Sequence, residues 1–217
     1  MPIRVILADD HAVVLDGLRV LLESQGDISV VGTASDGRTA VALARELLPD
    51  IVVMDISMPE LNGIDATCEL REALPNVRVI ILSMHSTSEH IYRALQAGAR
   101  GYVIKESAGK EVVKAVIAVH GGKRYISEKI SDLIIDDYVL RKDDSLSPSP
   151  LARLSLRERE VLQLVVEGRS SSEIAGTLFL SPKSVDTYRS RLMQKLGVKD
   201  LSSLIKFAIQ HGLTSLE

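Results

Sequence analysis

The 217-residue sequence contains a single cysteine, Cys68. That excludes an internal disulfide and a cysteine-rich zinc cluster. No apolar run approaches the roughly 18 residues of a membrane span. The polar start lacks the apolar core of a signal peptide, so a cytoplasmic protein is expected. Long internal repeats are missing, and the only linker-like stretch is KDDSLSPSP at 142–150. Excess positive charge is also missing from most of the chain. Residues 1–125 and 126–150 each carry a net −3, whereas 151–217 carry +3. Basic charge lies where it would if only the last third met an anionic polymer. With 46% hydrophobic and 25% charged residues, the chain can build one large core or two ordinary ones.

Short β-branched runs punctuate the first 125 residues: Ile3–Ala8, Val30–Ala34, Ile51–Met54, Val79–Leu82 and Gly101–Ile104. Continuous apolar runs of this length suit strands buried on both faces. The segments between them place apolar residues at helical spacing, as in Val14, Leu18, Leu21 and Leu22, or Val112, Ala115, Val116 and Val119. Five βα repeats predict an open parallel sheet with helices on both sides. A further acidic helix is predicted over Ser127–Arg141, followed by the Ser/Pro linker, with the domain boundary near 142–152.

The last third has no strand pattern. Ser155 with Glu158, and Ser170 with Glu173, have capping-box spacing and open two helices. Ser181 caps a third with Pro182 in its first turn, and Gly197 ends it. A fourth, Leu201–Gln210, carries a stripe of Leu204, Ile205 and Ala208. That stripe pairs two copies, closes the domain's own core, or does both.

Polar residues stand where the buried strands stop: Asp9 and Asp10, then Asp55, Ser83 and Lys105. Ligand sites in open α/β sheets form at the carboxyl ends of strands, so these residues converge on one crevice. Three carboxylates repel one another and call for a hard cation on oxygen ligands, which points to Mg²⁺. A lysine and a hydroxyl can hold the oxygens of an incoming phosphoryl group. Asp55 is then placed as a carboxylate nucleophile. His11, His85 and His90 lie near the same end of the sheet but have no metal-ligand spacing, and read as surface residues or as residues that support the site from behind its ligands.

The order DD, D, S, K resembles the receiver domain of two-component response regulators. MPELNG (58–63) and GARGYVIK (98–105) belong to the same match. The resemblance implies a flavodoxin-like fold, α/β with a five-stranded parallel sheet of order 2-1-3-4-5, followed by an all-α helix-turn-helix domain. It implies that Asp55 takes phosphate from a sensor histidine kinase and that Asp9, Asp10, Asp55 and the Ser57 carbonyl hold Mg²⁺. Ser83 and Tyr102 become the switch pair, and Lys105 contacts the phosphoryl group. Glu106 follows Lys105, where many receivers have proline after a cis bond.

LSLREREVLQLVVEG, SEIA and LSPKSVDTYRSRLMQKLGV resemble the LuxR-type helix-turn-helix domain of NarL/FixJ regulators. The implied DNA-facing residues are Lys183, Asp186, Thr187, Tyr188, Ser190, Arg191 and Lys195. Three departures stand out. Ser171-Ser172 replaces a common Asn-Lys, Val185-Asp186-Thr187-Tyr188 replaces Val-Lys-x-His, and Leu201 replaces an arginine. The expected organisation is a receiver at 1–125, a linker helix and flexible linker at 126–152, and a DNA-binding domain at 153–217. The expected function is a phosphorylation-controlled transcriptional regulator, homodimeric when phosphorylated. No enzymatic activity is expected beyond self-catalysed phosphotransfer and autodephosphorylation. The rival readings are a protein-binding output domain and an aspartate-nucleophile phosphatase. Against the phosphatase, Ser57 stands where those enzymes place a second aspartate.

Overall fold

The structure is a computed structural model that describes residues 1–84, 87–131, 133, 150–211 and 213. The chain divides into two compact units, Met1–Asp143 and Asp144–Glu217. Most of the helix predicted over Ser127–Arg141, all of 142–149, and His85 lie outside the described residues.

In the first unit, strands and helices alternate: β1 (Ile3–Ala8), α1 (Ala12–Glu23), β2 (Ile28–Ala34), α2 (Gly37–Leu47), β3 (Ile51–Asp55) and α3 (Gly63–Ala73). They continue as β4 (Arg78–Ser83), α4 (Ser88–Ala97), β5 (Gly101–Ile104), α5 (Ala108–His120) and β6 (Tyr125–Ile126). All ladders are parallel, and the sheet order is β2-β1-β3-β4-β5-β6. The sheet thus has one strand more than the five expected. β6 pairs Tyr102 with Ile126 and extends the β5 edge. Two residues carry no readable periodicity, so the strand leaves no signal in the sequence.

Successive strand residues alternate between two cores. Ile6, Val52, Met54, Ile81 and Tyr102 face α2, α3 and α4, in a cluster that also takes in Ile130. Val5, Leu7, Val53, Ile80, Leu82 and Val103 face α1 and α5. Burial on both faces explains why the strands read as unbroken apolar runs.

The second unit contains α6 (Leu156–Val166), α7 (Ser171–Leu178), α8 (Pro182–Leu196) and α9 (Leu201–Gln210). Both capping boxes form: the Ser155 and Ser170 hydroxyls accept from the third helical amide, and Glu158 and Glu173 accept from the cap amide. Between α7 and α8, Phe179 turns the chain in a left-handed conformation at φ +54°. Two of the three residues of the α9 stripe close the domain's own core. Leu204 and Ala208 are fully buried with Val161, Val185 and Leu192, whereas Ile205 is half-buried. No helix among the described residues is long and apolar enough to cross a membrane.

Candidate functional site

The carboxyl ends of β1, β3, β4 and β5 bring Asp9, Asp55, Ser83 and Lys105 to one end of the sheet. Asp9 and Asp55 are only 1% and 4% exposed, a costly burial for two carboxylates unless a cation meets them. The Lys105 Nζ supplies it, 2.7 Å from Asp9 Oδ2 and 2.8 Å from Asp55 Oδ2. Asp55 Oδ1 accepts from the Ile56 amide at 2.7 Å. Burial still pushes the Asp55 carboxyl above its ordinary pKa, against the opposing pull of Lys105. For Lys105, burial works against the charge, but hydrogen bonds and attraction to Asp55 and Asp9 outweigh it and raise its pKa.

Asp10 and His11 complete the acidic rim. His11 Nδ1 lies 2.7 Å from Asp10 Oδ1 and 3.2 Å from Asp9 Oδ1, and the His11 amide donates to Asp9 Oδ1 at 3.0 Å. The Asp10 charge raises the His11 pKa. Ligand atoms of Asp9, Asp10 and His11 fall within 4.8 Å of one another. One ammonium against three carboxylates leaves the crevice negative. Carboxylate oxygens are the donors a hard divalent cation takes, so the residues present fit such an ion. His11, expected at this end of the sheet, is folded back onto Asp9 by the turn after β1. His90 is buried on α4, its Nδ1 2.6 Å from the Thr87 hydroxyl, and does not lie at the surface.

The loop after β3 is held by its own sequence. Gly63 donates its amide to Ile56 O at 2.9 Å. A Cβ at Gly63 would stand 1.9 Å from the Asp55 carbonyl oxygen, so only glycine lets α3 start there. Asn62 caps α3 by accepting from the Asp65 amide at 3.0 Å. This is the physical content of the NG in MPELNG. Ser57 lies half-buried in the same loop.

Ser83 and Tyr102, adjacent on β4 and β5, are both fully buried, and their side chains are hydrogen-bonded to each other. Burial pushes the Tyr102 phenol up to about 12, so it stays protonated. All described peptide bonds are trans, that between Lys105 and Glu106 included.

In the second unit, α8 exposes Lys183, Asp186, Thr187, Ser190 and Arg191, with Tyr188 half-buried. Three of the candidate side chains are already engaged. The Lys195 ammonium lies 2.7 Å from Glu158 Oε2, tying α8 to the capping box of α6. The Thr187 hydroxyl donates back to Lys183 O at 2.9 Å. Ser171 Oγ donates to Asp186 Oδ1 at 2.7 Å, joining α7 to α8. The last contact is invisible in either segment alone. Its only trace is that both positions depart from the family pattern.

Comparison with known proteins matches a family to each unit. Residues 5–117 match the response regulator receiver domain, and 152–208 match the bacterial regulatory proteins of the luxR family. The chain belongs to the response regulators that join a receiver to a luxR-type DNA-binding domain. It is 41% identical to the transcriptional regulatory protein MctR of Rhizobium johnstonii over 98% of this chain and 96% of that one. It is 35% identical to the oxygen regulatory protein NreC of Staphylococcus haemolyticus, over 97% and 98%. A solved complex of the response regulator RcsB with DNA matches at 29% identity and a TM-score of 0.59. That match covers 95% of this chain and 98% of that one.

Proposed function

We propose that Asp55 is the phosphoacceptor of this transcription regulator and that its phosphorylation controls DNA binding by the second unit. The observation that carries this reading is the Lys105 ammonium held between the buried carboxylates of Asp9 and Asp55. An Asp55 oxygen attacks the phosphorus of a phosphohistidine. The new P–O bond forms as the P–N bond breaks, and its electron pair returns to the imidazole nitrogen. Lys105 then pairs with a phosphoryl oxygen, and the Ser83 hydroxyl donates to another, leaving Tyr102 to repack against it. Mg²⁺ held by Asp9, Asp10, Asp55 and the Ser57 carbonyl would supply neutralisation of the phosphoryl charge. The transfer is self-catalysed, since these groups belong to the acceptor itself.

The partners that fit are a sensor histidine kinase, double-stranded DNA and, after phosphorylation, a second copy of the chain, all in the cytoplasm. Lys183 and Arg191 meet phosphate, while Tyr188 and Ser190 face the groove. The test is labelling by acetyl phosphate with Mg²⁺. The intact chain takes up one phosphoryl group and Asp55→Ala takes up none. Equal labelling of the Asp55→Ala chain would overturn the assignment.

A further inference from the structure

Opposite the acidic crevice, at the amino-terminal ends of β4, β5 and β6, lies a cavity of about 410 Å³. Arg71, Arg78, Arg100 and Arg124 line it, with Thr67 and Asn76 and without an acidic residue. Two of the guanidiniums have structural work. Arg71 donates to Gln96 O at 2.8 Å, at the end of α4, and Arg78 donates to Val119 O at 2.9 Å, at the end of α5. Each does so through Nη1, leaving its other N–H groups for further partners. Among the described residues, no ion pair joins any of the four to a carboxylate.

Helix carboxyl ends account for part of this charge and not for all of it. The ends of α3, α4 and α5 lie at this side of the sheet, each equivalent to about −0.5 charge. Together they offset less than half of four full positive charges. The remainder faces a polar cavity of the size that takes small ligands. Arginine forks match the paired oxygens of phosphate, and several converging forks match an anion of more than one charge. We infer that this cavity binds a small free polyanion of the polyphosphate type, at a site separate from Asp55.

Titration calorimetry of tripolyphosphate into the full chain tests this, with a chelator present so that Mg²⁺ plays no part. The reference is the Lys183→Ala/Arg191→Ala chain, which removes competing phosphate contacts on α8. It keeps a saturable one-to-one site. Adding Arg100→Ala and Arg124→Ala weakens that site at least about tenfold, as expected for losing two charge-assisted contacts. Neither arginine side chain holds a structural hydrogen bond, and the backbone bonds of Arg100 survive the substitution, so the melting temperature stays unchanged. Arg100→Gln/Arg124→Gln repeats the test with polar side chains kept. Absence of saturable binding in the reference chain, or equal binding after removing the two arginines, overturns the proposal. Duplex DNA separates the source of the phosphate. Its affinity for the otherwise native chain is unchanged by Arg100→Ala/Arg124→Ala, and an equal loss there would overturn the free-anion assignment.

Discussion

Ser171 and Asp186 stand fifteen residues apart on different helices, and the serine hydroxyl donates to the aspartate carboxylate at 2.7 Å. Ser171 opens α7, and Asp186 lies in the first half of α8, the helix that carries the basic side chains. The bond braces the two helices and holds a negative charge in one orientation on the exposed face of α8. The two departures from the family pattern are therefore one feature.

Single substitutions separate the brace from the charge. Asp186→Ala removes a charge that repels phosphate, so affinity for any duplex rises. Ser171→Ala leaves the carboxylate unheld, so affinity falls or stays level. Each costs about 0.5–1.5 kcal/mol of stability, and the double variant costs less than their sum because they share one bond. DNA titrations and thermal melts of the three variants check this. Movement of both affinities in the same direction would show that the bond does not govern the charge.

Salt dependence tests which basic residues meet DNA. With Lys195 held by Glu158, the proposed contacts of Lys183 and Arg191 come to about four per dimer. The slope of log K against log salt is then roughly −4. Lys183→Ala removes one contact per copy and flattens the slope by about two units in a dimer, whereas Lys195→Ala leaves it unchanged. Anisotropy titrations over a range of salt decide between them.

Lys195 and Glu158 predict a pH effect of defined sign. Burial works to raise the Glu158 carboxyl. Hydrogen bonds from Lys195 and Ser155, with the lysine charge, prevail and hold it below its ordinary pKa. A carboxyl lowered on folding contributes stability above its unfolded pKa of about 4.3 and loses it as pH falls through the folded value. Glu158→Gln therefore lowers the melting temperature at pH 7, and the difference from the native chain shrinks below about pH 4. A difference independent of pH would show that the carboxylate charge has no part in joining α6 to α8.

Much of this architecture is legible because local signals and burial agree. Unbroken runs such as Ile51–Met54 mark strands covered on both faces, and the polar residue ending each run marks the crevice. Ser155, Ser170 and Ser181 mark helix starts to the residue, since an unpaired helix amide calls for a side-chain oxygen. What escapes is non-local or too short. β6 is two residues long, His11 joins the acidic rim through a turn, and Ser171 meets Asp186 only after α7 and α8 pack. The α9 stripe had two solutions because periodicity shows that a face is apolar and not what covers it.

Tyr102→Phe tests the proposed switch pair. Removing the phenolic hydroxyl takes one hydrogen bond from a fully buried pair, which costs about 1 kcal/mol. Labelling of Asp55 by acetyl phosphate proceeds as in the native chain, because the acceptor and Lys105 are intact. The gain in DNA affinity on phosphorylation shrinks. A native-sized gain would remove Tyr102 from the coupling.

Charge on Asp55, in the function proposed above, governs DNA binding by a separate unit. This claim is tested most directly by measuring duplex affinity of the full chain with and without acetyl phosphate and Mg²⁺, on a site selected from a random pool. Asp55→Ala is measured beside it. Phosphorylation tightens binding of the native chain by about tenfold, within the usual range of coupling between sites, and leaves Asp55→Ala unchanged. An unchanged affinity in the native chain, or an equal gain in Asp55→Ala, would contradict the claim.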